Sequence, residues 1–311
     1  MKFLIIFLLL FSVVNAKDSL LYLEAQGIVG NSSQDGTIYR SGMPSDDMQL
    51  NSVGFDYIKK LSTKTGDIGT FALQTRVAYN KEEEEAKLQV YNAFLKIKTG
   101  YFDIWGGHDK TAFGLSSYLD NHGDLLQPLS MYGVGFDRDW GGGVAKDFDW
   151  GDAKIAYTTG SRMDVKDENR TFTARTSLGV LNYDNYNIGI SILDDDYNTT
   201  GGVDFAYNYN NLEQKGEIAF NKDDIVYFYR LGVNFLDENA LKLEGQVVYK
   251  KQNNYTLGAG ITYRFNGDLT FRGMYEYSIE EVAMKMHHIT TIKKMVDKKV
   301  VGQFYYYFGI L

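Results

Sequence analysis

The sequence predicts an all-β chain closed into an antiparallel transmembrane barrel of about sixteen strands, and three observations predict it. Apolar and polar residues alternate with a period of two along most of the chain. The connections between these runs are alternately short and long. Composition agrees, since 32 Gly, 24 Tyr and 19 Phe against 2 Pro suit many short strands, while a mean hydropathy of −0.30 excludes a bundle of membrane helices.

Met1–Ala16 reads as a secretory signal peptide, with Lys2 ahead of an apolar run from Phe3 to Val14 and Ala16 at the cleavage point. About 12 apolar residues fall short of the roughly 20 that a membrane span needs. The mature chain is then 17–311, one barrel domain. It contains no Cys, which fits secretion without disulfides or a lipid anchor. Loss of Lys2 takes the net charge from −8 to about −9, which argues against nucleic acid as a partner.

In order, Leu20–Val29 makes the first strand, Asn31–Asn51 a long connection carrying Pro44, and Val53–Lys60 the return strand. Thr63–Gly66 turns into Ile68–Tyr79, where Phe71, Leu73, Val77 and Tyr79 share one face. After the acidic tip Lys81–Lys87 comes Leu88–Lys98, with Tyr91, Ala93, Leu95 and Ile97 on one side, then Tyr101–His108. Lys110–Tyr132 is the longest interior break in the alternation. It reads as a loop folded into the lumen, forming the narrowest part of a pore. Val134–Phe148 resumes as a strand, and its Gly141–Gly143 run allows a bend.

The second half repeats the pattern in Ala153–Thr159, Phe172–Leu181, Tyr186–Leu193, Val203–Tyr209, Lys215–Asn221 and Ile225–Phe235. Leu241–Tyr249, Tyr255–Phe265, Leu269–Tyr277 and Val300–Leu311 complete the set of sixteen. Fourteen or eighteen strands would satisfy the same pattern. Ile279–Lys298 is expected as a long external loop, in which Val282, Met286, Ile289, Lys293 and Val296 have the spacing of a short helix.

Alternation alone does not say whether the apolar face meets lipid or a dry core. Three features choose lipid. Turns on one rim are short and those on the other long. Aromatic residues gather near strand ends, as at Tyr207 with Tyr209 and Tyr275 with Tyr277. Sixteen strands also enclose more space than side chains fill, so water occupies it.

With these features the chain resembles the Gram-negative porin superfamily. The resemblance rests on the signal peptide, the strand count, the long third external loop, the aromatic final strand Phe304–Phe308 and the segment Gly107–Gly114, GHDKTAFG, leading into that loop. The ending Phe308–Gly309–Ile310–Leu311 departs from the terminal Phe usual there. The resemblance implies a homotrimer in outer-membrane lipid and an acidic constriction loop facing a basic wall.

Strand parity puts Arg76, Lys96, Arg175, Arg230, Arg264 and Arg272 in the lumen, and the loop segment adds Asp109, Asp120, His122 and Asp124. Arg76 and Lys96 are the first candidates for the basic wall, with the simpler account that all these charges only solvate a wet lumen. His287 and His288 lack a third ligand in the sequence pattern, so no metal or other cofactor is expected. His108–Asp109 with Ser116, Ser117 and His122 forms no nucleophile motif, and Trp140–Val144 lacks the Lys-Ser/Thr of a phosphate loop. The expected role is a water-filled channel for passive diffusion of small hydrophilic solutes and ions. A solute-selective channel, for example for anions, is the alternative; an outer-membrane enzyme or adhesin stands further off.

Overall fold

The structure, a computed structural model, describes residues 18–41, 49–64, 66–119, 123–163, 165–166, 169–180, 184–251, 254–286 and 289–311. The proposed signal peptide therefore lies outside the described residues. Among the described residues seventeen strands form one sheet. They are β1 Ser19–Ser32, β2 Gly36–Ile38, β3 Asn51–Thr63, β4 Gly66–Asn80, β5 Glu85–Lys98 and β6 Asp103–Lys110. Next come β7 Arg138–Phe148, β8 Gly151–Thr158, β9 Thr171–Leu178, β10 Tyr186–Asp194, β11 Thr199–Tyr209 and β12 Leu212–Phe220. The last are β13 Ile225–Phe235, β14 Leu241–Lys250, β15 Asn254–Arg264, β16 Leu269–Met286 and β17 Ile289–Gly309.

Sixteen of these make a closed antiparallel barrel, since β1 pairs with β3 on one side and with β17 on the other. The three-residue β2 folds back on the outer end of β1 within the first long connection. Closure satisfies every strand edge within the sheet, which is what a β structure in hydrocarbon requires.

The apolar face points outward. On β10, Ile188, Ile190 and Ile192 are exposed on the barrel surface while Asn187 and Leu193 are buried; on β13, Tyr227, Tyr229 and Leu231 are exposed and Val226, Phe228 and Arg230 buried. An outward belt of this kind is lipid-facing. Ile190, 60% exposed at the middle of its strand, gives a direct check. Ile190→Arg is expected to cost about 2–4 kcal/mol in denaturant unfolding from lipid vesicles, and Ile190→Leu almost nothing. Equal stability of the two variants would place that face away from hydrocarbon.

Three expectations are corrected. Tyr91 does not share a face with Leu95 and Ile97: the β4–β5 register slips between Gln74 and Thr75, and the extra residue turns the Tyr91 ring inward, where it is 2% exposed. Val134–Phe148 begins as a strand only at Arg138, because residues up to 137 belong to the loop. Ile279–Lys298 is not a loop with a helix. Its backbone continues β16 and β17 as a two-stranded ribbon, paired from Ile279↔Val296 to Met286↔Ile289 beyond the end of the neighbouring β15. The segment is rich in β-branched Val, Ile and Thr, and that preference, reinforced by an existing ladder to extend, outweighs the helical spacing. His287 and His288 lie outside the described residues.

Candidate functional site in the lumen

The connection between β6 and β7 follows the inner wall of the barrel. Its apolar residues explain why. Phe113, Leu115, Leu129 and Tyr132 pack in one cluster with Leu193, Ala206, Ala219, Val226, Phe228 and Val248, all inward residues of β10 to β14. The inner face there is apolar. A loop that covers it removes that surface from water. Leu125 and Leu126 make a second cluster with Ile28, Ile38, Met274 and Val301.

Hydrogen bonds pin the backbone of this loop strand by strand. The amide of Ala112 donates to Thr173 Oγ1 at 3.1 Å, that of Gly114 to Ser191 Oγ at 3.2 Å, and that of Leu115 to Glu217 Oε2 at 3.2 Å. Further along, Lys154 Nζ donates to the Ser117 carbonyl, Gln246 Nε2 to that of Gln127, and Lys250 Nζ to that of Tyr132. Two glycines permit the fit. Gly114 has φ +54° and a Cβ there would lie 2.0 Å from Glu217 Oε1; a Cβ on Gly258 of β15 would lie 2.6 Å from Leu126 Cδ2. Tyr118 packs under the Arg175 guanidinium at 4.7 Å, and burial pushes its hydroxyl well above the usual phenol range, so it stays neutral.

The charges expected in the lumen differ in partner and in place. Arg76, Arg175 and Arg230 point inward, and each is matched by a carboxylate. Arg76 Nη1 lies 3.1 Å from Glu24 Oε1. Arg175 Nη2 lies 2.6 Å from Asp204 Oδ1. Arg230 Nη1 lies 3.2 Å from Asp124 Oδ2, tying the loop tip to β13. Arg272 is half-buried, donates to Gln303 Oε1 at 3.1 Å and stacks 5.1 Å from the Tyr305 ring centre. Lys96 and Asp109 are half-buried at the inner faces of β5 and β6. Arg264 is the last residue of β15, exposed at the short-turn rim and away from the loop. Asp120 and His122 lie outside the described residues.

A basic wall opposing a free acidic loop is thus not what the pairing builds. Acid and base are interleaved within contact distance, and the transverse field of paired charges falls off faster than that of separated ones.

What the loop leaves open is a cavity of about 500 Å³ between its tip, Gly123–Asp124, and the inner faces of β3, β4, β5, β16 and β17. The site candidates named from the sequence leave out four residues that line it, Gln74, Asn92, Tyr305 and Tyr307. A signal was available: within Gln303–Phe308, where every second residue faces inward, Tyr305 and Tyr307 alternate with the outward Phe304, Tyr306 and Phe308. A second cavity of about 280 Å³ opens beyond Tyr132 and Lys250 towards the turns at 195–198 and 221–224.

No family model and no curated protein matches the sequence. Solved structures do match in fold. An anion-selective porin from Comamonas acidovorans superposes with TM-score 0.62 at 10% identity, covering 94% of this chain and 100% of that one. A triple mutant of the Rhodopseudomonas blastica porin gives 0.61 at 12% identity over 93% and 100%. OmpT, an outer membrane protein of Vibrio cholerae in its trimer form, gives 0.55 at 11% identity over 93% and 99%. The chain therefore has the sixteen-stranded porin fold.

Proposed function

We propose that this protein is an outer-membrane porin of a Gram-negative cell, a water-filled channel through which small hydrophilic solutes and ions diffuse without a cofactor or a chemical step. One observation carries the reading: a closed barrel with a lipid-type outer face keeps an inner loop tied to its wall, and an open space of about 500 Å³ remains beside the loop tip. A homotrimer is the assembly we propose by analogy of fold.

The paired arginines support general over anion-selective diffusion. With Arg76, Arg175 and Arg230 each neutralised by a carboxylate, we assign weak ion selectivity. Purified protein in a planar bilayer is expected to open in discrete ohmic steps. Under a tenfold KCl gradient its reversal potential should stay well short of the ~59 mV of an ideally selective pore. A folded but electrically silent protein would sink the channel reading; a potential near that limit on the anion side would establish the selective alternative.

A further inference from the structure

We propose that the side-chain amide of Asn198, on the turn between β10 and β11, is the acceptor for an N-linked oligosaccharide, a modification independent of whether the channel conducts. The tripeptide Asn-x-Ser/Thr, which such a transfer requires, occurs four times in the chain, at Asn31, Asn169, Asn198 and Asn254. All four lie at the rim that carries the long connections: at the end of β1, before β9, between β10 and β11, and at the start of β15. That rim is the external one in an outer-membrane barrel. Asparagine is also frequent on the opposite rim, at Asn185, Asn210, Asn211, Asn239 and Asn266, and none of those has Ser or Thr two residues on.

The structure separates the four. Asn31 is held in the ladder, paired with Thr37 of β2 and Val300 of β17. Asn169 Oδ1 accepts the Asp196 amide at 3.0 Å, and the Thr171 that completes its tripeptide is fully buried. Asn254 Oδ1 accepts the Glu281 amide at 2.6 Å, and its Thr256 is buried. Asn198 differs from these. It follows the exposed Asp196 and Tyr197 on a turn outside the strands, Tyr197 being 74% exposed. Its backbone closes that turn, since its amide donates to Asp195 Oδ1 at 2.8 Å and its carbonyl accepts from the Asp195 amide at 3.1 Å. Its side chain makes no hydrogen bond among the described residues, and neither does the Thr200 hydroxyl. Both side chains are half-buried and line the second cavity, the one of about 280 Å³ at the external mouth.

An amide nitrogen is a weak nucleophile, because its lone pair is shared with the carbonyl, so the side chain must be free to turn within the transferring enzyme. In the step, Asn198 Nδ2 forms a bond to the anomeric carbon of an oligosaccharide carried on a polyprenyl diphosphate. The bond from that carbon to the diphosphate oxygen breaks, the polyprenyl diphosphate leaves with the electron pair, and the nitrogen gives up one proton. Nothing is oxidised or reduced. At Asn169 and Asn254 the carboxamide must first leave a neighbouring backbone amide, and at Asn198 it need not. Attachment to a surface turn of a secreted chain is where a bulky, solubilising group is tolerated.

The test is mass spectrometry of the full-length protein purified from its native outer membrane. The intact mass should exceed that of the mature polypeptide by a whole number of sugar residues, and the peptide containing Asn198 should carry the excess. Asn198→Gln and Thr200→Val are each expected to remove it and Thr199→Val to leave it, while all three variants keep the compact barrel in detergent. Loss of the excess in Thr200→Val, which retains the amide, separates enzymatic transfer from any other adduct on Asn198. An unmodified Asn198 peptide would overturn the assignment, as would a saccharide carried by Asn169 or Asn254 at equal or greater occupancy. Conductance does not enter these readings, so an electrically silent protein bearing the saccharide would refute the channel and leave the site standing.

Discussion

Replacing residues 115–132 with a short Gly-Ser linker is expected to raise single-channel conductance by roughly threefold or more, the largest functional effect the structure implies. Conductance follows the narrowest water-filled section, and a sixteen-stranded barrel without an inner segment leaves a wide aqueous channel. Here that segment is bound along β8 to β14 and narrows the passage to the side lined by β3, β4 and β5. The deletion also uncovers Leu193, Val226, Phe228 and Val248, so a loss of thermal stability accompanies the gain in current. A gentler change separates the two. Arg230→Ala with Gln246→Ala removes the contacts to Asp124, Leu126 and Gln127 while Phe113 and Leu115 stay seated. That double variant should show noisier current and a higher mean conductance. Unchanged current in both variants would mean that the loop does not limit flow.

The second large effect concerns folding. Arg175 and Asp204 both have 0% side-chain exposure and lie 2.6 Å apart on β9 and β11, bridged across β10 by Asn187, whose Oδ1 accepts from Arg175 Nη2. Asp204→Ala leaves a buried guanidinium without its principal counter-charge and is expected to destabilise the barrel by about 3–5 kcal/mol. Replacing both partners, as Arg175→Met with Asp204→Leu, should recover most of that loss, since the penalty arises from the stranded charge rather than from the absent attraction. The temperature at which the compact barrel unfolds in detergent reads both variants. A single variant within about 0.5 kcal/mol of the parent would show that water reaches Arg175 freely. Glu24→Ala tests the same reasoning at Arg76, whose Nε and Nη2 are buried without a hydrogen-bond partner among the described residues.

Much of the barrel was legible because period-two alternation is a local property. Strand number, the outward faces of β10, β13 and β15, the long third connection and the confinement of Pro128 to it all follow from residues near one another in the chain. Local pattern failed where an insertion or a neighbour intervened. One extra residue at the β4–β5 slip reversed Tyr91, and continued pairing drew the ribbon of β16 and β17 out of a segment with helical spacing. Parity also leaves out what Arg76, Arg175 and Arg230 meet, since each has its carboxylate partner on a distant stretch of chain.

Sequence by itself determined that this chain is a closed β-barrel with a greasy exterior and a long segment available to enter it, because strand periodicity and turn length are written over a few residues at a time. Only the tertiary structure decided what the interior does. Arg76 meets Glu24 across 52 positions of chain and Arg230 meets Asp124 across 106, and such pairings exist only once the register of every intervening strand has brought them side by side. Closure and register, not residue type, turned a set of lumenal charges into neutral pairs and left an aromatic, amphipathic passage beside them.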